Sequence, residues 1–159
     1  MQWANHAKMA APWHLELPRL RVKEACSHAA RCGNREVLQW LHNTGCPWDA
    51  TTCAVAAGRG HLEVVKWLHS HGCPCDWRVC AFAAEFGHLL VMLWARAHHC
   101  PWDSGICSGA AMRGHMEVLQ WIRENDENGE VWDEHRVHRF NGGPKKQEIL
   151  TWLDGLSGP

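Results

Sequence analysis

Tyrosine is absent from this chain of 159 residues and phenylalanine occurs only three times, so 11 tryptophans supply most of the aromatic side chains. The 16 basic residues nearly balance the 17 acidic ones, which argues against a binder of nucleic acid or of a membrane surface. No apolar run approaches the roughly 20 residues of a membrane-spanning helix, and the first residues lack the basic start and apolar core of a signal peptide. Phosphate-binding glycine loops, nucleophile elbows and paired catalytic carboxylates are also missing, so we expect no enzyme, no catalytic residue and no cofactor.

The chain contains a repeated unit, seen most clearly at 52–76. Residues of one type recur 27 positions apart in several registers, which indicates a repeat protein. These include Cys26, Cys53, Cys80 and Cys107; Gly33, Gly60, Gly87 and Gly114; and Trp40, Trp67, Trp94 and Trp121. We place a degenerate N-terminal cap at 1–20, repeats at 21–49, 50–76, 77–103 and 104–133, and a degenerate repeat at 134–156, all in one domain of 1–159.

The residue types within the unit indicate its family. The pattern Ala-Ala-x-x-Gly-His-Leu-Glu-Val-Val-Lys, starting at Ala56, closely resembles the middle of an ankyrin repeat, and the stretch from Ala110 matches nearly as well. The family repeat has about 33 residues, and the difference falls between Asp76 and Val79, where ankyrin proteins have a projecting β-hairpin finger. The resemblance therefore implies an all-α, ankyrin-like helix-turn-helix repeat solenoid with short inter-repeat links instead of full fingers.

In the second repeat, we expect helices at 51–58 and 61–70. Further helices are expected at 1–11, 134–140 and 144–156. Four aspartates recur just before first helices and are interpreted as N-caps: Asp49, Asp76, Asp103 and Asp133. His99 replaces a glycine of the other repeats, which predicts a positive φ at this residue.

The nine cysteines do not have the pattern of a disulfide framework, because their number is odd and most of them occupy two repeat positions. Equivalent cysteines of neighbouring repeats would lie about 10 Å apart, whereas a disulfide needs Cα atoms within about 7 Å. We therefore expect reduced cysteines in an intracellular, cytoplasmic protein.

The segment 69–75 offers two histidines and two cysteines, which are residue types that bind zinc. His69 and Cys73 recur as His42 and Cys46, however, and the simpler interpretation is that such cysteines are small core residues. We therefore assign no metal ligand. His61, His88 and His115 occupy the Gly-His turn and are interpreted as structural hydrogen-bonding residues, and the recurring tryptophans as core and ladder packing.

The third repeat departs most from the pattern. Phe82 and Phe86 lie one helical turn apart on its first helix, on the side that faces the partner-binding concave groove in ankyrin proteins. Leu90 and Leu93 form a possible second apolar patch. The alternative is that Phe82 fills a core gap and Leu90 covers a neighbour. By resemblance, the partner-binding residues are Arg31, Arg59, Phe82, Glu85, Phe86, Met112 and Arg113.

The resemblance implies a non-enzymatic protein-protein interaction module, expected to be monomeric, that displays a rigid concave groove. Its basic and apolar residues suggest a protein partner with apolar and acidic side chains, rather than nucleic acid or membrane. Two alternatives remain open at this point: a zinc-stabilised structural module, and a spacer or recruitment fragment of a larger protein.

Overall fold

A computed structural model describes residues 19–126, 129, 131–140 and 142–156, with the side chains of 19–23 and 140 excepted. These residues form ten short helices and no strand, which confirms the all-α prediction for that part of the chain. The helices are α1 Arg19–Arg31, α2 Arg35–Asn43, α3 Ala50–Ala57, α4 Leu62–Ser70, α5 Trp77–Glu85, α6 Leu89–Ala97, α7 Gly105–Arg113, α8 Met116–Asn125, α9 Glu134–Phe140 and α10 Lys146–Leu156. None of these helices is both long enough and apolar enough to cross a membrane.

Aspartate side chains begin the odd-numbered helices from α3 to α9. Each carboxylate accepts a hydrogen bond from a backbone N–H in the first helical turn, which satisfies a group that has no partner within the helix. The bonds join Asp49 to Thr51 (3.0 Å), Asp76 to Arg78 (3.0 Å), Asp103 to Gly105 (2.8 Å) and Asp133 to Arg136 (2.9 Å). The predicted N-cap position is confirmed for Asp49 and Asp76, and Asp133 directly precedes α9. The prediction was wrong for Asp103, because Ser104 occupies the N-cap position of α7, although the Asp103 carboxylate still accepts a hydrogen bond from the Gly105 N–H.

The helices pack in pairs. Each of α1, α3, α5 and α7 contacts the helix that follows it, and α1, α3, α5, α7 and α9 also contact one another in chain order. Small side chains permit this close packing. Fully buried alanine pairs lie at the same place in three successive odd-numbered helices: Ala56 and Ala57, Ala83 and Ala84, Ala110 and Ala111.

The helix boundaries differ slightly from those expected. The helices predicted at 51–58 and 61–70 are α3 and α4, whose N-cap residues are Asp49 and His61. The last helix begins at Lys146 rather than at 144. His99 has φ 57°, so its predicted left-handed conformation is confirmed. The helix proposed at 1–11 lies outside the described residues.

Even-numbered helices contribute mainly aliphatic side chains to the core, and odd-numbered helices contribute alanines, cysteines and a few aliphatic side chains. Three further core cysteines lie in the links: Cys46, Cys73 and Cys100. Trp67 is buried within it, as predicted, but Trp40 is 54% exposed, so the prediction that Trp40 is a core residue was wrong. Trp67 is covered by His42 and Trp48. The positions 27 residues before His42 and Trp48 are 15 and 21, whose side chains lie outside the described residues.

Candidate functional site

The predicted partner-binding residues lie at the carboxyl ends of the odd-numbered helices. Phe86 is the C-cap of α5, and Met112 precedes the last residue of α7. Both are strongly exposed for apolar side chains, at 43% and 53%. Arg31 ends α1 and Arg59 follows α3, and both are exposed. The corresponding ends of four helices therefore present two apolar side chains and several charged ones.

Four of the predicted residues, Phe82, Glu85, Phe86 and Arg113, are in contact and are called the α5–α7 cluster. The Arg113 guanidinium donates a hydrogen bond from Nη2 to Glu85 Oε1 at 2.9 Å. The same guanidinium lies over the Phe86 ring, with Cζ 5.0 Å from the ring centroid. Since a cation is attracted to the face of an aromatic ring, Arg113 holds the exposed Phe86 and the carboxylate of Glu85 in one arrangement.

Two glycines let the backbones approach closely beneath this cluster. A Cβ at Gly58 on the α3 side would lie 3.2 Å from Phe82 Cβ, and a Cβ at Gly109 in α7 would lie 3.3 Å from Glu85 Cβ. Phe82 is half-buried and packs against the core, whereas Phe86 points outward. Of the two phenylalanines, Phe82 therefore supports the cluster from below and Phe86 forms its accessible surface.

The second predicted apolar patch lies on α6. Leu90 is 69% exposed and Leu93 is half-buried. Leu90 belongs to an even-numbered helix, whereas Phe86 and Met112 belong to odd-numbered ones, so the two apolar surfaces arise from different sets of helices.

The other tryptophans and histidines pack against one another. Trp67 meets Trp48 edge to face with centroids 5.7 Å apart, and Trp94 stacks on His98 at 4.2 Å. Trp102 lies beneath the Arg96 guanidinium, with Cζ 3.9 Å from the ring centroid. The predicted ladder role is confirmed for these rings.

The turn histidines connect neighbouring units. His61 Nε2 lies 3.1 Å from the carbonyl oxygen of Arg31, and His115 makes the equivalent bond to the backbone of Glu85. Burial lowers the pKa of His115 below the ordinary histidine value, an effect that this backbone bond opposes. These contacts confirm that both histidines are structural hydrogen-bonding residues.

The candidate zinc segment 69–75 is fully described, and no group of three or more His, Cys, Asp or Glu in the described part of the chain is arranged to hold a metal ion. Two pairs of cysteine sulfurs lie close together, and one of them includes Cys75 of this segment. Cys26 Sγ lies 2.7 Å from Cys46 Sγ, and Cys53 Sγ lies 3.4 Å from Cys75 Sγ. We expected equivalent cysteines to stay apart and overlooked these non-equivalent pairs. Cys26 and Cys46 are 20 residues apart, a spacing that recurs in Cys53 with Cys73 and in Cys80 with Cys100, and this was the signal available for the first pair. No recurring spacing indicated the second pair, whose members are 22 residues apart.

Comparison of the chain with known protein families and with curated proteins gives no match.

Proposed function

We propose that this chain is a short-loop, ankyrin-like repeat solenoid that acts as a non-enzymatic protein-interaction module. The serial contacts of α1, α3, α5, α7 and α9, the buried alanine pairs and the capping aspartates all support this architecture. Each recurs from one 27-residue unit to the next, as stacked repeats require. The proposed repeats are the four assigned from the sequence, at 21–49, 50–76, 77–103 and 104–133.

The proposed binding face consists of the α5–α7 cluster and Met112, flanked by Arg31 and Arg59. The observation that carries the proposal is the state of Phe86. Arg113 lies over one face of its ring and holds it in place, and the residue is still 43% exposed. An aromatic side chain already fixed in place loses little entropy when a partner covers it. Aromatic and arginine side chains also dominate the binding energy of many interfaces.

The proposed partner is a protein segment that carries both apolar and acidic side chains. Its apolar groups would cover Phe86 and Met112. Its carboxylates would meet Arg31, Arg59 and Arg113, because guanidinium groups bind carboxylates through two parallel hydrogen bonds. In the free chain the Arg113 charge is already satisfied by Glu85, so an acidic partner group must compete with that carboxylate.

Affinity capture from a cell lysate tests the proposal. The wild-type chain is compared with Phe86→Ala/Met112→Ala, which removes the two exposed apolar groups and leaves the half-buried Phe82 in place. Leu90→Ala is the matched control, since it removes an even more exposed apolar side chain from α6. Equal helicity of all three proteins by circular dichroism is required.

We expect one or more proteins to be captured by the wild type and by Leu90→Ala but not by the double variant. The proposal fails if the double variant captures the same proteins in the same amounts. It also fails if Leu90→Ala alone loses them, because the interaction surface would then lie on α6.

A further inference from the structure

Cys75 occupies an unusual position among the nine cysteines. It lies in the link between α4 and α5, and it is half-buried, whereas its sulfur neighbours Cys53 and Cys100 are fully buried. The Sγ atoms of Cys53 and Cys75 are 3.4 Å apart. A disulfide bond is about 2.05 Å long, so a closing movement of about 1.4 Å would join the two sulfurs.

The surroundings favour a thiolate at Cys75. Hydrogen bonds from the thiols of Cys100 and Cys53, together with the nearby His69, lower the pKa of Cys75 well below the ordinary cysteine value, against the opposing effects of burial and of Asp76. Hydrogen bonds to Cys73 and Cys75, with burial, raise the pKa of Cys53. The pair therefore combines an ionised, partly accessible sulfur with a protonated, buried one.

We propose that Cys53 and Cys75 form a peroxide-responsive thiol pair, in which Cys75 is the residue oxidised first and Cys53 then closes an intramolecular disulfide. The oxidant is a hydroperoxide, with hydrogen peroxide as the simplest member. This modification site is independent of the proposed partner-binding face, since neither cysteine belongs to the α5–α7 cluster.

Two steps complete the reaction. The Cys75 thiolate attacks one peroxide oxygen; an S–O bond forms, the O–O bond breaks, and the leaving hydroxide takes up a proton as water. The resulting sulfenic acid is then attacked by the Cys53 sulfur. An S–S bond forms, the S–O bond breaks, and the departing hydroxide takes the Cys53 proton as a second water. In total, two thiols and one hydrogen peroxide yield one disulfide and two waters.

Cys26 and Cys46 are closer, at 2.7 Å between sulfurs, but are less suitable. Both are buried, and burial is the largest cause of the raised pKa of Cys26. Oxidation begins at a thiolate that the oxidant can reach. Accessibility and ionisation together therefore favour Cys75 over the closer pair.

The first test is a cross-link map of the wild-type chain, which needs no substitution. The reduced protein is treated with hydrogen peroxide, its remaining thiols are alkylated, and the digest is analysed by tandem mass spectrometry without reduction. We expect a link between Cys53 and Cys75 to appear first. A first link between Cys26 and Cys46, or no link, would overturn the proposal.

The second test traps the intermediate with a sulfenic-acid-specific 1,3-diketone. Cys53→Ser lacks the resolving thiol, so we expect labelled Cys75 to accumulate in that variant and not in the wild type. Cys32→Ser is the matched control, because Cys32 is exposed and directly follows α1, and its Sγ lies 3.7 Å from His28 Nδ1 rather than beside another sulfur. Its peroxide products should equal those of the wild type. Absence of label at Cys75 in the Cys53→Ser protein, with native helicity, would contradict the proposed order.

The pH dependence of alkylation gives an independent measurement. Free cysteine, with a pKa of about 8.5, loses about 100-fold in thiolate between pH 7 and pH 5, whereas the lowered pKa of Cys75 should make its rate of alkylation fall by clearly less over the same range. The Asp76 carboxylate, whose pKa is also lowered, stays ionised over this range, so its opposing effect on the Cys75 pKa is constant. A fall at Cys75 that parallels free cysteine would overturn the assignment of Cys75 as the attacking sulfur.

Discussion

The imidazole of His88 lies directly against Gly60. A Cβ on Gly60 would fall 2.7 Å from His88 Nδ1, closer than real Cβ contacts, and Gly60 has φ +74°. His61 stands in the same relation to Gly33, at 2.8 Å. A glycine in the turn of one unit is therefore covered by the histidine of the next, which links successive units through their turns.

Gly60→Ala is expected to destabilise the chain more than a glycine-to-alanine change at a left-handed position where no side chain lies against the glycine. The left-handed backbone alone costs about 1–2 kcal/mol for an alanine, and displacement of the His88 ring adds about 1–3 kcal/mol by overpacking. The control is Gly72→Ala, because Gly72 has φ +78° and nothing lies within 4 Å of an added Cβ. This variant should lose only the free energy that the left-handed backbone costs. Urea unfolding measures both, and equal losses would contradict a packing role for His88.

Asp76→Ala should cost more stability than Asp103→Ala. Both remove a capping carboxylate, worth about 1 kcal/mol, but Asp76 also accepts hydrogen bonds from the Arg78 guanidinium at 2.8–3.2 Å. This half-buried surface pair adds a smaller amount, about 0.2–1 kcal/mol. Urea unfolding at pH 7 makes the comparison, and an equal loss in the two variants would show that the Arg78 pair contributes nothing.

The contribution of Asp76 should also depend on pH. Hydrogen bonds from the Arg78 side chain are the largest cause that lowers the Asp76 pKa below its usual value. A lowered folded-state pKa gives stability that is full above the unfolded value of about 3.9 and is lost as the pH falls through the folded value. The stability difference between the wild type and Asp76→Ala should therefore shrink below about pH 4. A difference that stays constant down to pH 3 would be inconsistent with this coupling.

His115 should make the chain less stable in mild acid. Burial lowers its folded-state pKa, so below the unfolded value of about 6.5 the unfolded chain binds a proton that folded His115 does not. This destabilising contribution of His115 is absent above about pH 6.5 and grows as the pH falls below that value. The advantage of the wild type over His115→Gln should thus be smaller at pH 5.5 than at pH 7.5 in urea unfolding. An unchanged advantage would contradict the burial of the ring.

Glu85→Gln should strengthen binding of an acidic partner segment once such a partner has been identified. The change removes the carboxylate that holds Arg113 at 2.9 Å and leaves the guanidinium available to the partner. Exposed pairs of this kind are worth about 0.2–1 kcal/mol, which corresponds to a gain of up to about fivefold in affinity. Glu63→Gln is the control, because it breaks a similar exposed pair, with Lys66 at 2.8 Å, on α4. Weaker binding by Glu85→Gln would assign Glu85, rather than Arg113, to the partner contact.

Local features of the fold could be predicted well from the sequence. Recurring aspartates predicted where the odd-numbered helices begin, and His99 in a glycine position predicted its positive φ. Both depend on the conformation of a few adjacent residues, which residue type strongly constrains. The all-α class was implied by the resemblance of the repeated unit to an ankyrin repeat.

Contacts between units could not be predicted in the same way. Periodicity aligned Trp40 with Trp67 but could not show that Trp67 is buried whereas Trp40 is 54% exposed. The Cys53–Cys75 contact and the Arg113–Glu85 ion pair depend on lateral distances between helices and links, which a repeat period does not specify. The sequence analysis left open whether Phe82 is a core residue, and the structure shows Phe82 half-buried against the core and Phe86 exposed. The role of these residues in binding stays a prediction.

The affinity of a captured partner for three forms of the chain tests the proposed binding face most directly. Isothermal titration calorimetry would compare the wild type, Phe86→Ala/Met112→Ala and Leu90→Ala. Loss of central apolar anchors costs about 2 kcal/mol or more, so we expect at least about 30-fold weaker binding by the double variant. Leu90→Ala should bind within about twofold of the wild type, since it lies outside that face. Unchanged affinity in the double variant, with its fold intact, would contradict the account.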